Sequence, residues 1–396
     1  MAHPGDNAGN DGDVTRGGRI ALSFEQVVRE IDRWVDEGTV HGAAIAVEHR
    51  GEVVATRCAG EAQPGVPVDD DTLFALASVS KPFTAAAVLR VVDQGLFGLD
   101  DEVASILPEF GAPDRGFDPD ALPQLEGQRE TITFRQMLAH TSGLPENAGV
   151  KRLRMRDLPS LEHMYEVMSA VPLISAPGEV LRYSNLGPAL SAHAAEQATG
   201  TPFHDLLQHT ILDAMDLSGV VLRPGPELDG HIAHVQDPAQ EGTAAESYNS
   251  RYWRDTGIPW GGYFGTVRDV LRFATSFLPG RDLPLSDDAI AAMTTDQVHG
   301  LSGGVESMGA LWKPGFWGAG WEVKGTKRRH WTGSITSPAT FCHWGQSGTL
   351  VWVDPTRELG VAVFGNRTVR QPWPLRPPRW AELSDAIVAV ADRVTT

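Results

Sequence analysis

The sequence predicts an α/β fold of the α+β kind: a mostly antiparallel sheet flanked by helices, built from both ends of the chain, with a helical region between. Three observations carry this. Two strand-like runs near the start, Gly42–Val47 and Val53–Thr56, meet around Arg50-Gly51 as a hairpin. Near the end, Ala339–Gly345 is followed by Gly348–Val353 and Gly360–Phe364, the last two joined around Asp354-Pro355. Most of what lies between has helical spacing and helix caps, with no internal repeat. The expected division is a disordered tail over 1–18, a sheet region from 19–108 and 258–396, and a mainly helical region over 109–257. The three make one functional unit, with its site between the two folded regions.

Each element has a local reason. Ser23 caps an amphipathic helix through Phe24, Val27, Val28, Ile31, Trp34 and Val35, stopped by Gly38. After the first hairpin, Phe74–Leu89 opens apolar, places Ser78 at a boundary and continues with small and apolar residues as a helix ending near Gly95. Residues 109–130 hold Pro, Gly and Asp and read as loop. Thr131–Leu138 is a capped short helix before the turn His140–Pro145, and Lys151, Arg152, Arg154 and Arg156 make a basic island. Pro177-Gly178-Glu179 is a turn; Tyr183-Ser184-Asn185 then precedes a helix through Leu190 to Thr199, and another follows from Phe203 to Met215. Residues 217–257 read as irregular, Val267–Leu278 as helix, 300–333 as Gly- and Trp-rich loop or strand, and Trp380–Val394 as a closing helix.

Composition narrows the function. The 396 residues are 41% hydrophobic and 21% charged, as in ordinary globular proteins. A formal net charge of −18 argues against nucleic acid and against an anionic membrane surface as partners. Cys58 and Cys342 make neither a disulfide framework nor a zinc site, and His231 and His234 lack a third ligand nearby. The polar, acidic first residues show no export signal and no run is long enough to span a bilayer, so a cytoplasmic location is expected.

The chemistry centres on Ser78 and Lys81. Three residues apart on a helix, they share a face with Cβ atoms about 5–6 Å apart. The surrounding segment is almost wholly apolar, and burial lowers a lysine pKa until the amine can serve as a base. The chain has five lysines against 28 arginines, and arginine cannot lose its proton, so a lysine here suits a deprotonatable amine. Two further segments complete an acyl-transfer set. Tyr183 can shuttle a proton, helped toward phenolate by a lysine ammonium, and Asn185 can hold the lysine and a substrate carbonyl. The strand end His343-Trp344-Gly345 lets a substrate lie alongside and offers a backbone N–H.

Ser78-x-x-Lys81, Tyr183-x-Asn185 and His343-x-Gly345, in this order, resemble the three motifs of the serine β-lactamase and penicillin-binding protein superfamily. The likeness is to its class C branch of D-aminopeptidases, family VIII esterases and natural-product acyltransferases. Leu138–Leu144, Pro177–Glu179, Gly261–Thr266 and the Asp354-Pro355 hairpin are similar to that branch, and the resemblance spans about 40–367. It implies a β-lactamase/transpeptidase-like fold with Ser78 as nucleophile, Lys81 as base and Tyr183 as proton relay. Asn185 would bind Lys81 and the acyl side, and the N–H groups of Ser78 and Gln346 would form the oxyanion hole. No metal and no organic cofactor is implied. Where β-lactam-binding members carry Lys-Thr-Gly, this chain has His343-Trp344-Gly345, so antibiotic hydrolysis does not lead and Trp344 is expected to favour an apolar acyl group. The function expected is an esterase or amidase acting on a small-molecule ester or amide. The alternative is a transacylase passing the acyl group to an amine or alcohol in natural-product biosynthesis. Oligomeric state is not legible.

Overall fold

The computed structural model describes residues 22–111, 125, 127–370 and 372–394; the expected tail and most of the 109–130 loop lie outside them. A seven-stranded sheet runs Glu322–Val323, Phe341–Gly345, Thr349–Asp354, Leu359–Gly365, Gly42–His49, Glu52–Gln63, Val66–Pro67. Every neighbouring pair is antiparallel. The two ends of the sequence join in the middle of this sheet, where Ile45 faces Val363 and Val47 faces Val361.

Side-chain alternation sorts the sheet's two faces. Ala44, Ala46, Val351, Val353, Ala362 and Phe364 pack with Phe83, Leu190, Val270 and Leu271 in one core. Ile45, Val47, Leu350, Trp352, Val361 and Val363 pack with Trp34 of the first helices and Trp380 and Ile387 of the last. All eight residues of Gly42–His49 are buried because both faces are covered. The expected N-terminal helix is present in two pieces, Phe24–Val27 behind a Ser23/Gln26 capping box and Glu30–Asp36.

The helix Ser80–Asp93 is central. Pro82 sits in its first turn, where no intrahelical N–H is needed, and Gly95 in the left-handed region ends it. Every residue from Ser80 to Leu89 is buried. It lies against the helix Leu186–Thr199, which in turn lies close to Phe134–Leu138: a Cβ on Gly187 would meet the Met137 carbonyl oxygen at 2.2 Å. Two small sheets flank the site. In one, Phe74–Ala75 and Val220–Val221 both pair with Phe264–Gly265; in the other, Leu181–Arg182 pairs parallel with Gly303–Val305. No helix among the described residues is long and apolar enough to cross a membrane.

Candidate active site

Ser78 lies on a short 3-10 turn, Ala77–Val79, that feeds directly into the central helix. Ala77, immediately before it, has φ +46°, a left-handed conformation that costs a residue with a Cβ on the order of 1–2 kcal/mol. The surroundings hold it there. Leu76 N–H donates to the Tyr263 carbonyl at 2.8 Å, and Thr349 Oγ1 donates to the Leu76 carbonyl at 3.0 Å. Ser347 Oγ donates to the Ala75 carbonyl. The turn after strand Phe341–Gly345 is thus latched onto the segment that leads into Ser78. That closeness explains Gly345: a Cβ there would sit 2.2 Å from the Leu76 carbonyl oxygen and 3.2 Å from Ala77 Cβ. The backbone at Gly345 is therefore carried alongside Leu76 and Ala77, the residues just before Ser78.

Lys81 Nζ lies 2.9 Å from Ser78 Oγ and donates to the Trp260 carbonyl at 2.8 Å. The side chain is 1% exposed. Burial lowers its pKa to about 7, against a small opposing pull from the charge of Glu146. Neither Ser78 nor the Trp260 carbonyl brings a negative charge, so the amine loses its proton near neutral pH.

Tyr183 stands over this pair, with Lys81 Nζ 5.0 Å from its ring centre. The expected drift toward phenolate is not what the surroundings favour. Burial raises the Tyr183 pKa, and the nearby Ser78 side chain only partly offsets this. Its neighbour Lys81, with its pKa lowered to about 7, is only partly charged near neutral pH, so no fixed cation draws the phenol proton off. The hydroxyl is buried with no hydrogen bond of ordinary length.

Asn185 also differs from expectation. Its amide donates to Asn147 Oδ1 at 2.9 Å and its backbone N–H to the Glu146 carbonyl. Lys81 is held instead by the Trp260 carbonyl, because the 258–263 segment packs directly over the central helix: Thr84 Oγ1 donates to the Pro259 carbonyl and Tyr263 N–H to Ser80 Oγ. Asn185 occupies the N-cap position of its helix without a side-chain cap bond.

His343 and Trp344 part company through strand alternation. His343 faces the site, its ring 6.2 Å from Tyr183, and the charge of Lys81 acts on it. Trp344 turns to the opposite face, 5.5 Å from Trp331 in the core that includes the closing helix. It does not line the cleft beside Ser78, and its expected role in acyl binding is corrected accordingly.

Residues the motifs did not single out complete the shell. His140, expected as a hydrogen-bonded turn residue, has φ +60° and accepts the Ser184 N–H on Nδ1. Its ring lies 4.6 Å from that of Tyr183 in a tilted contact, and burial together with Lys81 and His343 keeps it neutral. Trp317 touches His140, Tyr183 and His343 at 4.9, 5.6 and 5.9 Å; no sequence spacing points to it. Tyr263 and Phe264 are fully buried in the core. A separate buried group, Glu322, His330 and Cys342, brings three possible ligand atoms within 4.8 Å of one another. The Lys327 ammonium already lies 2.6 Å from the same carboxylate, so these residues fit an internal ion pair rather than a metal.

Comparison with known proteins gives the family and the fold. The Beta-lactamase family model matches residues 24–384. Esterase EstB of Burkholderia gladioli is 33% identical over 286 residues, 64% of this chain and 68% of that protein. Penicillin-binding protein 4 of Amycolatopsis lactamdurans is 27% identical over 291 residues, covering 72% and 68%. Among solved structures, EstCE1, described as a hydrolase with promiscuous acyltransferase activity, aligns with a TM-score of 0.72 at 22% identity over 91% of this chain and 97% of that one, a likeness of fold.

Proposed function

The chain belongs to the Beta-lactamase family, and on that premise we propose that it is a serine esterase or amidase that forms an acyl-enzyme on Ser78 from a small-molecule ester or amide. The observation that carries this is the 2.9 Å contact between Ser78 Oγ and a buried Lys81 whose pKa is lowered to about 7. The neutral amine takes the Ser78 proton as Oγ attacks the carbonyl carbon. Negative charge collects on the carbonyl oxygen, which the N–H groups of Ser78 and Gln346 receive. The bond to the leaving group breaks, and that group takes the proton from Lys81 through the Tyr183 hydroxyl. Because burial keeps Tyr183 a phenol, it carries the proton by accepting one and giving another. In the second half water attacks the acyl carbon and loses its proton toward Lys81. The carbon–Oγ bond then breaks, and Ser78 recovers a proton from the lysine. Asn185 steadies the acyl side from the rim, consistent with its amide being held by Asn147 rather than by Lys81.

The similarity to an esterase supports water as the usual acceptor; transfer to an amine or alcohol remains the second reading, supported by the fold shared with EstCE1. Intact-mass spectrometry with activated esters tests both. Wild-type protein should gain one acyl mass on Ser78, and Ser78→Ala should gain none. Retention of full turnover by Ser78→Ala would overturn the proposal. An adduct that drains to free acid regardless of added amine indicates a hydrolase, and one emptied only by amine indicates a transacylase.

A further inference from the structure

Three neighbouring rings end in buried polar atoms, the Tyr183 hydroxyl, His343 Nε2 and Trp317 Nε1, none of which makes a hydrogen bond of ordinary length among the described residues, although the Ser78 side chain acts on the Tyr183 hydroxyl. The rings touch pairwise, at 5.6 Å for Tyr183 and Trp317, 5.9 Å for Trp317 and His343, and 6.2 Å for Tyr183 and His343. All three residues are more than nine-tenths buried. A buried polar atom without a partner costs about 1–3 kcal/mol, so three such atoms on rings in mutual contact mark a place where a small polar molecule would be stabilised.

Hydrogen-bond chemistry identifies it. His343 Nδ1 lies 2.9 Å from the Trp344 carbonyl, which can only accept, so Nδ1 carries the proton. Burial and the charge of Lys81 keep the ring neutral. Nε2 is therefore a bare lone pair. The Trp317 indole can only donate, and the Tyr183 hydroxyl can do either. A metal ion cannot use an indole N–H, and an anion is refused by the Nε2 lone pair. A water molecule can use all three groups: it accepts from Trp317, donates to His343, and exchanges a hydrogen bond with Tyr183.

Resting on the acyl-enzyme reading above, we propose that His343 and Trp317 hold the water that attacks the acyl group on Ser78. His343 orients this water by accepting one of its protons in a hydrogen bond, without removing it. The other proton leaves toward Tyr183 and Lys81 as the water oxygen bonds to the acyl carbon, and Ser78 Oγ departs with the proton returned by the lysine. The pair then has its main effect on deacylation, because the first half-reaction has no water to place.

Burst kinetics with a chromogenic activated ester separate the two steps. His343→Phe and Trp317→Phe should slow deacylation about 100-fold more than acylation, so that acyl-enzyme accumulates in the mass spectrum. His343→Gln, which restores an acceptor oxygen, should recover much of the deacylation rate. Equal slowing of both steps in both phenylalanine variants, or deacylation that keeps pace with wild type, would overturn the proposal. If His343→Phe fails to fold by circular dichroism, the Trp317→Phe and His343→Gln pair decides. Absence of any Ser78 adduct in the wild type would instead refute the acyl-enzyme reading itself.

Discussion

Three lysines are buried among the described residues, Lys81, Lys324 and Lys327, and the difference between the surroundings of Lys81 and Lys327 separates an amine that can release its proton from one fixed in an ion pair. Among the described residues Lys81 hydrogen-bonds only a serine hydroxyl and a backbone carbonyl, and burial pulls its pKa to about 7. Lys327 is as deeply buried but lies 2.6 Å from Glu322, with His330 Nε2 3.0 Å from the same oxygen and Trp312 under the ammonium at 4.6 Å. Burial alone would raise the Glu322 pKa, yet Lys327 and His330 hold it below the ordinary carboxylate range. One niche withholds the counter-charge and leaves a titratable amine; the other supplies it and obtains a fixed ion pair. Trp317 is the partition between them, 5.3 Å from Lys327 on one side and 5.6 Å from Tyr183 on the other.

The sharpest way to break the comparison is the same substitution at both sites. Lys81→Met should reduce first-turnover acylation by about 10²–10⁴, measured by burst kinetics, because a general base is lost. In Lys327→Met any deficit should follow the folded fraction instead. Stability should move in the opposite sense. Lys327→Met leaves Glu322 buried and unpaired and should cost about 3–5 kcal/mol in denaturant unfolding. Replacing Glu322 by Leu as well should recover most of that loss, since the uncompensated charge is then gone.

A pH profile sharpens the contrast further. Acylation requires the neutral amine, so its rate should fall about tenfold per pH unit below about 7 and level off above it, with no such limb in Lys81→Met. The stability linkage has a definite sign. The folded-state pKa of Lys81 is depressed, so between about 7 and the unfolded value near 10.5 the unfolded chain binds more protons, and stability gains with rising pH. Lys81→Met removes that penalty and should raise Tm by about 2–4 °C at pH 7. The smallest effect is expected at Cys342. Its thiol is fully buried, with its pKa raised by burial and by Glu322, so iodoacetamide should leave it unlabelled in the folded protein.

Local patterns determined a good deal. The strand-like runs at 42–56 and 339–364 specify antiparallel strands, and the cap at Ser23 specifies a helix start, while the Thr cap expected at 131 falls on Thr133. Ser78 and Lys81 fall on one helical face whatever surrounds them, so their pairing follows from spacing alone. Strand alternation, a local rule too, parts His343 from Trp344, but which face meets the site depends on the layers packed against the sheet. The shell around the lysine came only from tertiary structure. The Trp260 carbonyl, Trp317, and the His140 ring against Tyr183 lie far apart in sequence and carry no spacing signal. Asn185 turned to Asn147 because the loop at 146–147 lies beside it, while the 258–263 segment supplied a carbonyl to Lys81. Sequence determines which side chains can do acid–base chemistry; only the packed chain decides which of them lose water, and desolvation is what sets their charge.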